Sequence, residues 1–136
     1  LDPTGGVVVA GSTDANLSPD AIGDGNTDSF AAKYDSNGNQ TWEKQIPTLT
    51  DNQGYAVTVD AGGNVYLGGQ VSGVIGAGQT SAGQADAYIA KLDNKGNIVY
   101  QQQSGTSGAD QVSLMATTSD GGLVVASVQD GHAVLS

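Results

Sequence analysis

The chain repeats itself at a fixed interval without insertion or deletion, so that position n corresponds to position n + 58. Residues 28–39 read DSFAAKYDSNGN, and residues 86–97 read DAYIAKLDNKGN. Residues 7–64 and 65–122 share 13 identical positions, and seven of these lie within residues 25–39. A fixed period of this length is typical of stacked supersecondary units, each of which needs a neighbour to bury its apolar face.

Each period divides into short strands joined by turns. Val7 opens a continuous apolar run, VVVAGS, which is the pattern of a strand covered on both faces. The next strand alternates apolar and polar residues, and it ends in a turn whose Asn and Gly tolerate positive φ. No stretch shows a sustained 3.6-residue apolar period, so no helix is expected. The predicted strands are 7–12, 29–35, 40–46, 54–61, 64–71, 86–93, 97–104, 111–118, 123–128 and 132–136.

Four antiparallel strands in each period predict an all-β fold built from β-propeller-type blades. Residues 1–136 form one repeat region, with blade units at 7–64 and 65–122 and a partial third unit at 123–136. A β-helix would have a period of about 20–30 residues, and a sandwich would not repeat its sequence. We expect the apolar side chains that pack the blades to be mostly buried, namely Phe30, Trp42, Val57, Val59, Tyr88 and Ile89.

The repeated motif resembles a known bacterial family. Its core reads D-[AS]-[FY]-x-A-K-[YL]-D-x-x-G-N, preceded by an apolar strand with glycine and followed by an aromatic residue at Trp42 or Tyr100. This pattern is similar to the bacterial β-propeller repeat, often called the SBBP repeat, over two full copies and part of a third. The resemblance implies a propeller found mostly in large exported or cell-surface proteins, and it implies no single activity. The third unit departs from the pattern because it lacks the long first loop.

A ring of blades usually contains 4–8 of them, which is more than this repeat region supplies. Two and a quarter blades would leave two apolar sheet faces in water. We therefore expect the outer faces to contact further protein. That protein is either further blades of the same chain or neighbouring subunits, and the former is favoured because neither end resembles the polar cap of a terminal repeat.

The charge of the chain excludes two classes of partner. Fourteen acidic residues oppose four Lys and no Arg, which gives a net charge of −10. Nucleic-acid binding requires clustered cations, and this field repels phosphate and anionic lipid alike. No apolar run is long enough to insert into a membrane. The chain has no Cys, so disulfides and Cys-zinc sites are excluded.

One loop contains a partial cation-binding pattern. Asp20, Asp24, Asn26 and Asp28 are oxygen-bearing residues, and Asp24-x-Asn26-x-Asp28 resembles the opening of a calcium loop. The bidentate acid that completes such a loop is missing. The alternative is an ordinary polar turn in which Asp28 bonds backbone amides. Because Asp28 recurs as Asp86 without the surrounding acids, a structural role for Asp28 is favoured, and calcium is the one cofactor to test.

Other candidate residues favour a structural interpretation. Lys33 and Lys91 occupy the same strand position, where we expect the amine to pair with Asp35 or with an Asp of a neighbouring unit. His132 has no second His or Cys near it in the sequence, and no Ser lies in a nucleophile elbow, so we expect no enzyme. Four aromatic side chains could form a glycan platform, although a packing role is the simpler expectation. They are Trp42, Tyr66, Tyr88 and Tyr100.

These observations favour a non-enzymatic structural or adhesive module of a larger exported bacterial surface protein, located outside the cell. One alternative is an outer or decoration domain of an extracellular filament, such as a flagellum or pilus. A second alternative is a glycan- or calcium-binding propeller. The partner, the number of blades and the source cannot be read from the repeat.

Overall fold

A computed structural model describes residues 1–19, 21 and 24–136, which form ten β-strands and no helix. The prediction of an all-β chain is confirmed. It follows that the described part of the chain contains no apolar helix of the length needed to cross a bilayer. The strands are β1 Val7–Thr13, β2 Asp28–Tyr34, β3 Gln40–Ile46, β4 Asn52–Val59, β5 Val65–Val71, β6 Asp86–Leu92, β7 Ile98–Ser104, β8 Gln111–Thr117, β9 Leu123–Gln129 and β10 His132–Leu135.

The strands follow the sequence period. The bounds of β5, β6 and β7 lie exactly one period after those of β1, β2 and β3, and β9 lies one period after β5. The second strand of each copy, which contains Ala32 or Ala90, is therefore equivalent in the fold as well as in the sequence.

The strands pair into three antiparallel sheets. The first sheet has the order β1-β2-β3, the second β4-β5-β6-β7 and the third β10-β9-β8. The expectation that residues 7–64 form one four-stranded sheet is therefore wrong, because β4 pairs with β5 across the tight turn at residues 60–64. The same correction applies to β8, which pairs with β9. Among the described strands, those of the second sheet alone form a group of four.

The sheets pack face to face in chain order. β4 of the second sheet lies against β1 and β2, and β8 of the third sheet lies against β4, β5 and β6. An apolar cluster between the first two sheets contains Ile46, Val65, Leu67, Tyr88 and Leu92. A smaller cluster, between the second and third sheets, contains Ala56, Ala87, Val112 and Val125. Each cluster is shared by two sheets, so neither sheet of a pair has a core of its own.

The predicted core is only partly correct. Tyr88 is buried as expected. The other five residues are only partly buried, namely Phe30, Trp42, Val57, Val59 and Ile89. Phe30 lies opposite Gly11 on the face of the first sheet that points away from the second sheet. Its counterpart one period later is Tyr88, which is covered by the first sheet. The position in the stack therefore decides burial at equivalent sites.

β1 is also less buried than its sequence predicts. Val8 and Ala10 pack toward the second sheet, but Val7 and Val9 are 42% and 40% exposed. The expectation that both faces are covered is wrong for β1. The same expectation is correct for β5, where six of seven residues are buried. β5 has a paired strand on each edge and a sheet on each face.

Candidate functional site

The two ends of the strands differ in structure. One end, here called the turn end, carries five-residue turns at 2–6, 35–39, 60–64, 93–97 and 118–122. The other end, here called the loop end, carries the connections that follow β1, β3, β5, β7 and β9. The recurring polar residues of the chain divide between these ends, so each end is a candidate site.

Carboxylates organise the turn end. The Asp35 carboxylate accepts the amides of Asn37 and Asn39, both at 2.9 Å, and the Asn39 side-chain amide at 3.0 Å. Asp93 accepts the equivalent bonds in the next period. The bond from Asn39 lowers the pKa of Asp35, with further lowering by the backbone amides. These carboxylates are therefore engaged in shaping the turn, with Gly38 at positive φ closing it.

The recurring lysines are engaged with neighbouring side chains. The Lys33 amine forms an ion pair with Asp2 at 2.8 Å rather than with Asp35. This pair, with a hydrogen bond from Thr4, lowers the pKa of Asp2 to about 2. Lys91 lies over the ring of Tyr66, 4.9 Å from its centroid, and the tyrosine raises the pKa of Lys91. Both lysines thus have a structural partner.

At the loop end, Asp28 is the centre of a buried polar network. Its carboxylate accepts the Gln45 side-chain amide at 3.0 Å, the Thr48 backbone amide at 3.2 Å and the Asn52 side-chain amide at 2.7 Å. Burial raises the pKa of Asp28, and the three hydrogen bonds oppose that rise. Because Asn52 begins β4, the network joins the first sheet to the second.

The network continues across the same junction through hydroxyl groups. Asn52 Oδ1 accepts the backbone amide of Ser29 at 2.8 Å and its hydroxyl at 2.5 Å. The buried hydroxyl of Tyr88 in turn donates to Ser29 Oγ at 2.6 Å. Burial raises the pKa of the Tyr88 hydroxyl, which therefore stays protonated and can donate. The arrangement offers no exposed reactive group.

The second period places two carboxylates where the first has an acid and an amide. Asp86 Oδ2 accepts the Gln103 side-chain amide at 2.6 Å and the Ala82 backbone amide at 2.8 Å. Asp110, the counterpart of Asn52, accepts the Thr106 amide at 2.6 Å. Asp86 Oδ1 and Asp110 Oδ2 lie 2.1 Å and 2.9 Å from where a Cβ on Gly105 would stand. Asp86 Oδ1 is buried and has no hydrogen-bond partner among the described residues.

Of the four calcium candidates, the structure describes Asp24, Asn26 and Asp28. Asp20 lies outside the described residues. The exposed Asp24 carboxylate accepts the backbone amide of Asn26 at 3.0 Å and its side-chain amide at 2.8 Å. Asp28 lies in the buried network instead. The described residues contain no group of three acidic or histidine side chains that could bind a metal, and calcium binding in this loop stays a prediction.

Two of the aromatic candidates, Tyr66 and Tyr100, lie on either side of Lys91 in the second sheet, as its pairing partners in β5 and β7. Trp42 donates from Nε1 to the Asn94 carbonyl at 3.1 Å, and its ring covers Gly96 at the turn end. Tyr66 and Tyr88 are buried, whereas Tyr100 is 42% exposed and His132 lies exposed at the start of β10.

A cleft of about 240 Å³ opens between the second and third sheets. Polar side chains from both sheets line it, among them Gln102, Ser104, Ser127 and Gln129. Of the aromatic candidates and His132, Tyr88 lines this cleft and the others lie elsewhere. The cleft therefore contains one of the candidate residues from the sequence, Tyr88, and does not bring two of them together.

Sequence comparison within the repeat missed Asn52 and Asp110. Because one residue is Asn and the other is Asp, a count of identical positions between the two periods does not include them. The signal that could have found them is their equivalence: an amide in one period stands at the position of a carboxylate in the next. Both also form the same backbone bond, from Asn52 to Thr27 and from Asp110 to Ala85, each at 2.7 Å.

No known protein-family model matches the chain. Among curated proteins, regulatory protein FlaEY of Caulobacter vibrioides is 28% identical over 115 residues, which cover 80% of this chain. The same alignment covers 12% of that protein, so the chain spans a small part of the length of this relative.

Proposed function

We propose that the chain is a non-enzymatic scaffold, built from propeller-type repeats and belonging to a larger exported bacterial surface protein. The observation that carries this proposal is the use of the recurring polar residues. Asp28, Lys33, Asp35 and Gln45 and their counterparts one period later all contact neighbouring parts of the same chain. Residues repeated for packing and turn formation favour a structural role, since catalytic groups need free reactive atoms.

The stacking geometry supports the propeller form of this proposal. The first strands of the second and third sheets, β4 and β8, pack closely against each other, whereas β9 and β10 approach the strands of the second sheet much less. Sheets that approach most closely at their first strand diverge toward their last strand, which is how blades surround a central axis. The correspondence with a short part of a much longer relative supports a role as one segment of a larger protein.

Solution scattering on tandem proteins tests the propeller form. Proteins with four to eight consecutive periods, made by repeating residues 52–109, would be compared by their radius of gyration. Closure predicts a compact ring at one period number, with a radius that stops growing in proportion to length. A radius that rises linearly through eight periods would contradict closure and would indicate an open stack.

The location of the native protein separates two functions. Antibody raised against this chain should label intact cells if the protein is a surface scaffold or adhesive module. The relative is described as a regulatory protein, and a regulatory function is the alternative that it raises for this chain. Labelling only after permeabilisation would favour that alternative. If the adhesive role is correct, deleting this chain from the surface protein should weaken the attachment of cells. The deletion should not change any enzymatic activity.

A further inference from the structure

We propose that the cleft between the second and third sheets is a binding site for one neutral sugar ring. The cleft has a volume of about 240 Å³, which is below the range of sites for drug-sized ligands and suits a ligand of about one ring. A sugar site would give the adhesive role proposed above its ligand, so the biological use of the cleft rests on the proposed function. The site itself can be tested on the purified chain.

The corresponding space in the first junction, between the first and second sheets, is filled by an aromatic ring. Tyr88 of β6 is buried there and donates its hydroxyl to the first sheet. Tyr88 pairs with Gly69, and one period later Ser127 pairs with Val134. An isopropyl group therefore replaces a phenol at the second junction, between the second and third sheets. The cleft, which Ser127 lines, lies where the first junction holds a hydroxylated six-membered ring.

Two further positions change from apolar to polar between the junctions. Ile46 of β3 and Val71 of β5 are fully buried in the apolar cluster of the first junction. One period later these positions are Ser104 and Gln129, and both line the cleft. A surface that packs in the first junction thus carries hydrogen-bonding groups in the second.

A shortened connection inside the chain accounts for the opening of the cleft. Ser104 and Gln129 are the last residues of β7 and β9, so the cleft reaches the loop end. In the first junction, the long connection after β5 contributes Ile75 to the same apolar cluster as Ile46. The connection after β9 consists of residues 130–131 alone, so the second junction has no counterpart of Ile75.

Polar side chains of both sheets face the cleft with unused hydrogen-bonding groups. Within the described part of the chain, four of them have no side-chain hydrogen bond, namely Gln102, Ser104, Ser127 and Gln129. Gln103, the neighbour of Gln102 in β7, instead uses both ends of its side-chain amide within the fold. Free amides and hydroxyls that converge on one cleft are the groups that orient a bound ligand.

The lining favours a neutral, hydroxylated ligand. Ala87, Val112 and Val125 give the cleft a buried apolar base, and its polar groups lie toward the loop end. No charged side chain lines the cleft, so an ionic ligand would find no group of opposite charge there. A sugar ring presents C–H groups to an apolar base, and its hydroxyls both donate and accept hydrogen bonds. Side-chain amides and hydroxyls can pair with such groups in both directions.

Nuclear magnetic resonance titration of the purified chain tests the site. The probes are four neutral single rings: methyl glucoside, methyl galactoside, methyl mannoside and N-acetylglucosamine. We expect saturable binding of at least one probe with a Kd of about 1 mM, because a ligand of this size makes few contacts. The backbone amide signals of Ser127 and Gln129 should shift with the same saturation curve.

Variants that restore the residues of the first junction locate the binding. Ser104→Ile and Gln129→Val together should weaken binding about tenfold or more, because apolar groups replace two hydrogen-bonding side chains. Ser127→Ala removes one hydroxyl with little change in volume and should weaken binding about threefold to tenfold. Ser119→Ile adds an apolar side chain at an exposed position of the turn end, and this control should bind like the original chain.

Binding that the double variant loses and the control keeps would support the site. Failure of all four probes to bind at concentrations far above the expected Kd would overturn it. Equal binding by the double variant, shown to be folded by its circular dichroism spectrum, would place the ligand elsewhere and would also overturn it.

A disaccharide with the best probe at its non-reducing end separates two sources of the ring. Binding as tight as that of the single ring would support the site as one for the ends of glycans, and loss of binding would support it as one for free sugars. Sugar binding by the purified chain without labelling of intact cells by antibody would uphold the cleft while contradicting the proposed surface location.

Discussion

The two junctions between sheets share a backbone arrangement and differ in their polar chemistry. Asn52 bridges the first junction by donating a hydrogen bond to the Asp28 carboxylate, which also accepts hydrogen bonds from Gln45 and Thr48. At the second junction Asp110 has no side-chain amide to donate, and Asp86 Oδ1 is left without a partner among the described residues. The backbone geometry of a repeat can therefore persist through a change of one functional group that removes a buried hydrogen bond.

The apolar contacts of the second junction are also weaker than those of the first. The first junction buries larger side chains, including Ile46, Leu67 and Tyr88, whereas the second buries Ala56, Ala87, Val112 and Val125. Ala87 also stands at the position of Ser29, so the second junction lacks the hydroxyl that receives the Tyr88 bond. Because buried area and satisfied hydrogen bonds both stabilise packing, we expect the second junction to open more readily than the first.

The substitution Asn52→Asp should have the largest effect, because it gives the first junction the two carboxylates of the second. It removes the donor to Asp28 and places two carboxylates together in a buried site. We expect a loss of about 3 kcal/mol in the free energy of unfolding, measured by denaturant titration at pH 7. The control is Asn16→Asp, the same change at an exposed residue, which should have little effect. A loss equal to that of the control would contradict the bridging role of Asn52.

Asp28→Asn should cost about 2 kcal/mol of unfolding free energy. Both oxygens of the Asp28 carboxylate accept hydrogen bonds, so a side-chain amide would direct its NH₂ group at an existing donor. Thermal unfolding monitored by circular dichroism would measure the change. An unchanged midpoint would show that the network can rearrange at no cost.

Acid should weaken the ion pair at the turn end of the first sheet. The pKa of Asp2 is about 2 in the folded chain, below its ordinary value of 3.8, so the charged form stabilises the fold. That contribution is complete above about pH 4 and is lost as the pH falls toward 2. We expect Asp2→Asn to cost about 1–2 kcal/mol at pH 6 and almost nothing at pH 2. Equal losses at both pH values would show that the charge of Asp2 is not the cause.

Asp86→Asn should have the smallest effect and the opposite sign to its counterpart at residue 28. Its oxygen can keep the bonds from Gln103 and Ala82, while its NH₂ group would point toward the Asp110 carboxylate. The change removes one of two facing charges and gives the unpartnered position a donor. We expect a gain of about 1 kcal/mol by denaturant titration. A loss similar to that of Asp28→Asn would remove the distinction between the two junctions.

The sequence predicted the strands better than their grouping. The period predicted equivalent bounds for β1 and β5, and the Asn-Gly turn after Asp35 placed the β2–β3 hairpin. Alternation in residues 54–61 predicted a strand but could not show its partner, because pairing depends on the connection that brings two strands together. The decisive signal was Asp60-Ala61-Gly62-Gly63-Asn64, which matches the hairpin turn at 35–39 in its first Asp, its glycine and its last Asn.

The polar network was only partly foreseeable. The recurrence of Asp28 as Asp86 favoured a structural role for Asp28, and Asp28 is bonded within the fold. The bridging role of Asn52 depends on contacts between residues in different sheets, which no local pattern encodes. For the same reason, exposure of Val7 and Val9 could not be deduced from an apolar run, because burial requires a covering strand or sheet as well as apolar side chains.

The turn end has a consequence for how copies of the molecule approach one another. Hydrogen bonds from Asn39, Asn97 and Thr118 lower the pKa values of Asp35, Asp93 and Asp120, so these exposed carboxylates keep their charge into mildly acidic solution. A cluster of fixed negative charge makes end-to-end contact unfavourable, most of all at low ionic strength. Two molecules that meet turn end to turn end therefore repel each other, and added salt weakens that repulsion.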